Sequence, residues 1–122
     1  MAAGRVKRWE LEFNDIPPGP NDRMHFMVRA KETKRWRRWA ALLAGGIPPQ
    51  SRVRLSAIFR RRALGRADAD NDLARLKPVA DGVVAAGVVP DDNRAYVEWG
   101  PVTEERGDRG FVLIIEGLEE LR

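Results

Sequence analysis

The stretch SRVRLSAIFRRR, residues 51–62, constrains the fold more than any other part of the chain. Val53, Leu55, Ala57 and Phe59 fall on one side of an extended backbone. Arg52, Arg54, Ser56 and Arg60 fall on the other, with Ile58 the exception. A two-residue period of this kind suits a strand with one apolar face, so the chain has to supply neighbouring strands and a layer to cover that face. RVKRWELEF provides one neighbour, with Val6, Trp9, Leu11 and Phe13 inward and Arg8, Glu10 and Glu12 outward. AYVEW and GFVLIIEGL read as two more strands, joined through the polar, hairpin-like GPVTEERGDRG.

The covering layer comes from two helical segments. In KETKRWRRWAALLAGG, Trp36, Ala40 and Leu43 recur at helical spacing, Lys31, Lys34, Arg35 and Arg38 line the polar side, and the Gly pair ends the run. In DLARLKPVADGVVAAG the apolar stripe is Leu73, Leu76, Ala80 and Val83. Pro78 interrupts it, because an interior proline costs about 3 kcal/mol. The helix therefore kinks there or starts afresh with Pro78 in its first turn. NDIPPGPND, IPPQS and VVPDDN are loops and turns. The order β-α-β-α-β-β defines an α+β class: a small mixed sheet with helices packed on one side. At 122 residues the expectation is a single domain over 1–122.

With 43% hydrophobic residues the chain can build a packed core. It contains no cysteine, which excludes disulfides, thiolate zinc sites and a cysteine nucleophile, and suits a reducing cytoplasm. The N-terminal MAAGRVKRWELEF has no apolar run like a secretory signal, and the longest apolar stretch, around AALLAGGIPP, is too short and broken to span a membrane. Charge is divided unevenly. Residues 1–66 carry a net +11 and residues 67–122 a net −7, together the +4 of the whole chain. This asymmetry fits a cationic surface for a polyanion beside a separate acidic feature; it also fits two halves that neutralise each other across the fold.

The acidic feature begins at DADND, residues 68–72, directly after RRRALGR. Carboxylates two apart on a strand, ~7 Å from each other, repel by roughly 0.6 kcal/mol in water and about 2 kcal/mol at an effective dielectric of ~20. If extended geometry persists through DADN, Asp68 and Asp70 project to the same side and offer hard oxygens to Mg²⁺, which normally takes only a few carboxylates. Asp70, Lys77 and Asp81 stand at offsets of seven and four, and share a face if the helix is regular. Asp91 and Asp92 follow the helix end, where a chain return brings them back toward the first acids. Arg60, Arg61, Arg62 and Arg66 flank the group. These are the parts of metal-assisted phosphodiester hydrolysis: acids hold the cation, the cation activates water, and a lysine steadies phosphate or the leaving oxygen.

Plainer readings use the same residues. DADND also suits an acidic helix start, and Asp91 and Asp92 suit ordinary turn positions. A calcium loop is excluded, since its sixth position would be Gly and is Leu73, and its twelfth would be Glu and is Val79. His25 is the one histidine, so no histidine cluster can form within a chain, and a Ser-His-Asp triad would have to use Ser51 or Ser56, neither in a nucleophile-elbow context. His25 reads as a structural hydrogen-bonding residue or a phosphate contact. Trp36 reads as core, and Trp39 as core or a partial base-stacking surface.

RRRALGRADADN running into LKPVADGVVAAGVVPDD resembles the RusA family of Holliday-junction endonucleases: D-x-D-N, Lys77, Asp81-Gly82, a Val-rich turn and Asp91-Asp92. NDRMHFMVRAKETKRWR upstream is similar to the N-terminal stretch of many phage members, so the likeness extends from Asn21 onward. One spacing departs: five residues separate Asn71 from Lys77, where the compact family pattern has two. The spacings from Lys77 to Asp81 and from Asp81 to Asp92 match. The resemblance implies a homodimer that makes paired, Mg²⁺-dependent nicks in four-way or branched DNA, with Mn²⁺ able to substitute. It implies Asp68, Asp70 and Asp92 as metal ligands, with Asp92 chosen because the family's functional acid is the second of the pair, and Lys77 as a catalytic aid. The DNA would be held by Lys31, Lys34, Arg35, Arg38, Arg60, Arg62 and Arg66, in the cytoplasm of a bacterial or phage-infected cell. The competing expectations are a non-catalytic DNA-binding protein, either architectural or a decayed nuclease, and an RNA nuclease using the same acids.

Overall fold

The computed structural model describes residues 7–65 and 69–118. Val6, Arg66 and Asp68 lie outside that set. The elements run β1 (Lys7–Phe13), α1 (Phe26–Ala44), β2 (Val53–Arg61), α2 (Ala69–Arg75), α3 (Lys77–Ala85), β3 (Val97–Arg106) and β4 (Gly110–Gly117). The four strands form one sheet in the order β1-β4-β2-β3. β4 is antiparallel to both β1 and β2, whereas β3 lies parallel to β2. The sheet is therefore mixed, and the parallel pair is joined by the crossover through α2 and α3. The architecture is α+β, as the order of elements predicts.

The alternating strand behaves as its pattern requires. Val53, Leu55, Ala57 and Phe59 are all buried, and they meet Leu11 and Phe13 of β1 and Phe111, Leu113 and Ile115 of β4 in one core. Phe13 stacks on Phe111 with ring centroids 4.5 Å apart, and Trp36 of α1 closes the cluster from above. β4 is buried along nearly its whole length, with Val112 and Ile114 on the side away from the helices. A strand apolar on both faces belongs in the interior of a sheet. That preference explains the departure from the expected β3–β4 hairpin. β3 runs on to Arg106, and β4 takes the central place on the far side of β2, so the two do not pair. The link Gly107–Arg109 passes the end of β2, where the Gly107 amide donates to the Arg61 carbonyl at 3.0 Å.

α1 begins five residues before the expected Lys31, because His25 caps it: the imidazole Nδ1 accepts from the Met27 amide at 3.2 Å. Its contact row is Trp36, Ala40 and Ala44, whereas Leu43, expected inward, is exposed. The reason is α3, which crosses α1 closely at Gly82. A Cβ there would strike the Arg37 carbonyl and come within 2.8 Å of the Ala40 Cβ, so the i, i+4 ridge decides which α1 side chains are covered. The second helical segment divides at Leu76 into α2 and α3, with Pro78 in the first turn of α3. This is the fresh start rather than the kink. The break also rotates the apolar stripe, so Leu73 is exposed and Val79 is buried in its place, beside Leu76, Ala80 and Val83.

Candidate functional site

α3 carries Lys77 at its start and Asp81 one turn later, with Lys77 Nζ 3.5 Å from Asp81 Oδ1. Beyond α3, Gly87 takes a left-handed φ of +87°, which reverses the chain, and the buried Val88 and Val89 pin the return to the core. Asp92 is thereby carried back over α3, and its Oδ2 accepts from Lys77 Nζ at 2.6 Å. The two acids of the pair have separate roles. Asp91 is bound into the turn, its Oδ1 accepting from the Asp92 amide at 2.7 Å and its Oδ2 from Asn93 Nδ2 at 3.3 Å. Asp92 is the one that reaches the lysine. The bond to Lys77 holds the Asp92 carboxyl below its usual range. The same bond, aided by the charge of Asp81, raises the Lys77 ammonium above its usual value.

Around this cluster lies an open depression of about 320 Å³ lined by Arg37, Asp81, Val84, Ala85, Asp91 and Asp92. Arg37 comes from α1, brought to the acids by the close crossing at Gly82. No sequence argument singled it out. Its signal was available only as the outward position next to Trp36 on a helix whose partner was not known.

The two described acids of DADND, Asp70 and Asp72, take different environments. Asp68 lies outside the described residues. Asp70 does not continue an extended strand: α2 starts at Ala69, so Asp70 is an exposed residue of its first turn, as the acidic-helix-start reading has it. The expected common face of Asp70, Lys77 and Asp81 also fails, because the break at Leu76 puts Asp70 on a different helix from the other two. Asp72, to which no role was assigned, is buried and takes a bidentate ion pair from Arg61, at 2.7 and 3.1 Å. Glu104 of β3 accepts from the same guanidinium at 2.6 Å, and Arg75 Nε stands 3.4 Å from Asp72. Asp72, then Glu104, hold the Arg61 pKa above its usual value.

Of the expected DNA-contacting cations, Lys31, Lys34, Arg35 and Arg38 are exposed along α1, and Arg62 is exposed in the bend after β2. Arg35 also pairs with Glu32 at 3.3 Å and lies over the rings of Trp36 and Trp39. Arg60 is held between Glu105 at 2.9 Å and Glu12 at 3.0 Å, and Glu98 pairs with Arg52 and Arg54. The outward arginines of β2 thus neutralise carboxylates across the sheet rather than standing clear of them. Arg66 lies outside the described residues. Trp39 is half-buried against Phe13, edge to face at 5.1 Å, and His25 has the structural bond already described.

Among the described residues no three acidic or histidine side chains group as a metal site. Asp70 and Asp92 are exposed carboxylates, the hard oxygen donors that Mg²⁺ takes, and one or two of them with water suffice for that ion. The residues present fit the cation in kind, and Asp68, the expected third ligand, lies outside the described set. No helix among the described residues is long and apolar enough to cross a membrane.

Fold and site together define a small α+β protein whose third helix presents a lysine to acids from two parts of the chain. The chain belongs to the same family as an uncharacterized protein of Xylella fastidiosa (strain Temecula1 / ATCC 700964): the two are 32% identical over 110 residues, covering 83% of this chain and 70% of that protein. No family model matches the chain. A likeness to a crystal structure of the hydrogenase maturation protein HypE in complex with ATP extends over 98% of this chain and 32% of HypE, at 13% identity and a TM-score of 0.37. At that score it carries no argument.

Proposed function

We propose that the protein is a Mg²⁺-dependent, structure-selective DNA endonuclease of RusA type, acting in the cytoplasm as a homodimer that resolves four-way or branched DNA by paired nicking. The observation that carries this reading is the 2.6 Å contact between Lys77 and Asp92, two motif residues fifteen apart in sequence. Asp81 and the guanidinium-bearing Arg37 border the same depression. Asp68, Asp70 and Asp92 would hold the metal, whose contribution when bound is to lower the pKa of a water and supply the nucleophile. Lys77 offsets charge developing on the phosphate oxygens, and the α1 cations hold the DNA through its phosphates. A two-fold dimer would offer two such sites to symmetry-related strands.

The α1 cations would serve equally a non-catalytic DNA-binding protein, which is the second reading. A labelled synthetic four-way junction separates the two. Mg²⁺-dependent, paired cutting at modest salt is expected, lost in Asp70→Asn while junction binding persists. Junction binding with no cutting, unchanged by alanine at Asp68, Asp70 and Asp92, establishes the binding protein instead. Preferential cutting of structured RNA over junction and linear duplex reassigns the substrate.

A further inference from the structure

Phe26, the first residue of α1, is 75% exposed, and Met27 and Val28 beside it are 57% and 48% exposed. Together these three side chains form an exposed apolar patch at the head of the helix, and its surroundings say what could cover it. The Phe26 ring lies stacked on His25, centroids 4.6 Å apart and planes 29° from parallel. His25 cannot swing freely, because its Nδ1 holds the Met27 amide as the helix cap. Arg29, one turn on, ties the helix start to the preceding loop through the carbonyls of Asp22 at 2.6 Å and Gly19 at 3.3 Å. The ring thus has one face against an imidazole that its cap bond fixes.

We infer that the His25–Phe26 pair is a stacking platform for an unpaired nucleobase. The inference rests on the reading of the protein as DNA-binding and names what it recognises: bases exposed at a branch point or in a single strand. Charge selects this occupant. Seven Lys and Arg side chains and one carboxylate fall between residues 23 and 38, so the platform stands in a field suited to a phosphate backbone. A second copy of the chain is disfavoured, since a two-fold contact through this patch would set the same cations against each other.

The test uses oligonucleotides carrying 2-aminopurine, in a single strand and at the centre of a four-way junction, with EDTA present so that no cutting occurs. Wild-type protein is expected to quench the fluorophore by stacking. Phe26→Ala should lose the quench and bind roughly 5- to 140-fold more weakly, the range set by loss of one base–aromatic stack, while Phe26→Trp retains both. An alanine variant that binds and quenches as wild type does overturns the platform and leaves the nuclease reading standing. A working platform on a wild-type protein that never cuts junctions in Mg²⁺ supports the platform and sinks the nuclease reading alone. Sedimentation showing a dimer that Phe26→Ala dissolves assigns the patch to a second copy and overturns the inference.

Discussion

Two clusters of opposite charge arise within a few residues of each other and come to different ends. Arg61, Asp72 and Glu104 sit between the end of β2 and α2, with Asp72 only 4% exposed and both of its oxygens taken by one guanidinium. Lys77, Asp81 and Asp92 sit on α3 and the turn after it, with 65% of the lysine side chain open to solvent. Parity along the strand makes the difference. Arg61 follows Val53, Leu55, Ala57 and Phe59 on the helix-facing side, so a guanidinium arrives at the edge of the core and has to be neutralised there. Lys77 points to no core. Its charge meets acids that water also reaches, and the ammonium itself stays open to solvent. A buried cluster with saturated partners is a structural device, and an open one with spare donors is where chemistry can happen.

The sharpest way to break this contrast is to ask each cluster for the other's property. Lys77→Met should lower junction cutting by about 100-fold or more, the usual cost of removing a group that stabilises developing oxyanion charge, while lowering the thermal midpoint only slightly, as loss of an exposed ion pair does. Both are read on one preparation, by single-turnover cleavage and by calorimetry. A variant that cuts normally removes Lys77 from the site. Asp72→Ala should do the reverse in kind. It leaves Arg61 with Glu104 alone beside the core and costs about 3 kcal/mol of stability by denaturant unfolding, the low end for a broken buried pair because one partner remains. A loss under about 1 kcal/mol would mean that the pair behaves as a surface bridge and that burial is not what separates the two clusters.

The parts legible in the sequence were those governed by local period. The face of β2, the inward Trp9, Leu11 and Phe13 of β1, the Trp36–Ala40 stripe and an interruption of the second helical segment at Pro78 all follow from alternation, helical spacing and the missing proline amide, while only the structure decides between a kink and a fresh start. What escaped depended on neighbours that a linear chain does not reveal. Leu43 and Leu73 carry the right period but lose their places to Ala44 and Val79, since the crossing of α1 and α3 at Gly82 and the break at Leu76 set the final phase. The hairpin between β3 and β4 was suggested by a polar linker, yet β4 is apolar on both faces and goes to the middle of the sheet. In the site, Lys77 and Asp81 meet at their i, i+4 spacing, whereas the chain return expected to carry Asp92 toward the first acids of DADND carries it to Lys77. The extended DADN did not survive, because Asp and Asn open a helix as readily as they line a strand end. Arg61 was the missed clue to Asp72: its inward parity already demanded a buried counter-charge.

The smallest expected effect tests whether the Lys77–Asp92 contact is populated at all. Its lysine bond holds the Asp92 carboxyl below the usual 3.8, and that bond holds Lys77 above the usual 10.5. A carboxylate with a depressed folded pKa adds stability that is present above 3.8 and is lost as pH falls through the lower folded value. The raised lysine is its mirror, adding stability below 10.5 that is lost as pH rises through the higher folded value. Between those limits the pair's contribution is present in full and does not change with pH, so its pH dependence shows only on the acid and alkaline limbs, and the acid limb is the place to look. Titration of the side-chain carboxyl carbons by NMR should give Asp92 a midpoint below 3.8 in the wild type, moving back up in Lys77→Met. Equal Asp92 midpoints in the two proteins would show that the lysine does not hold this carboxylate in solution. The open cluster would then be a set of independent surface charges, and its contrast with the Arg61–Asp72 pair would be one of burial alone.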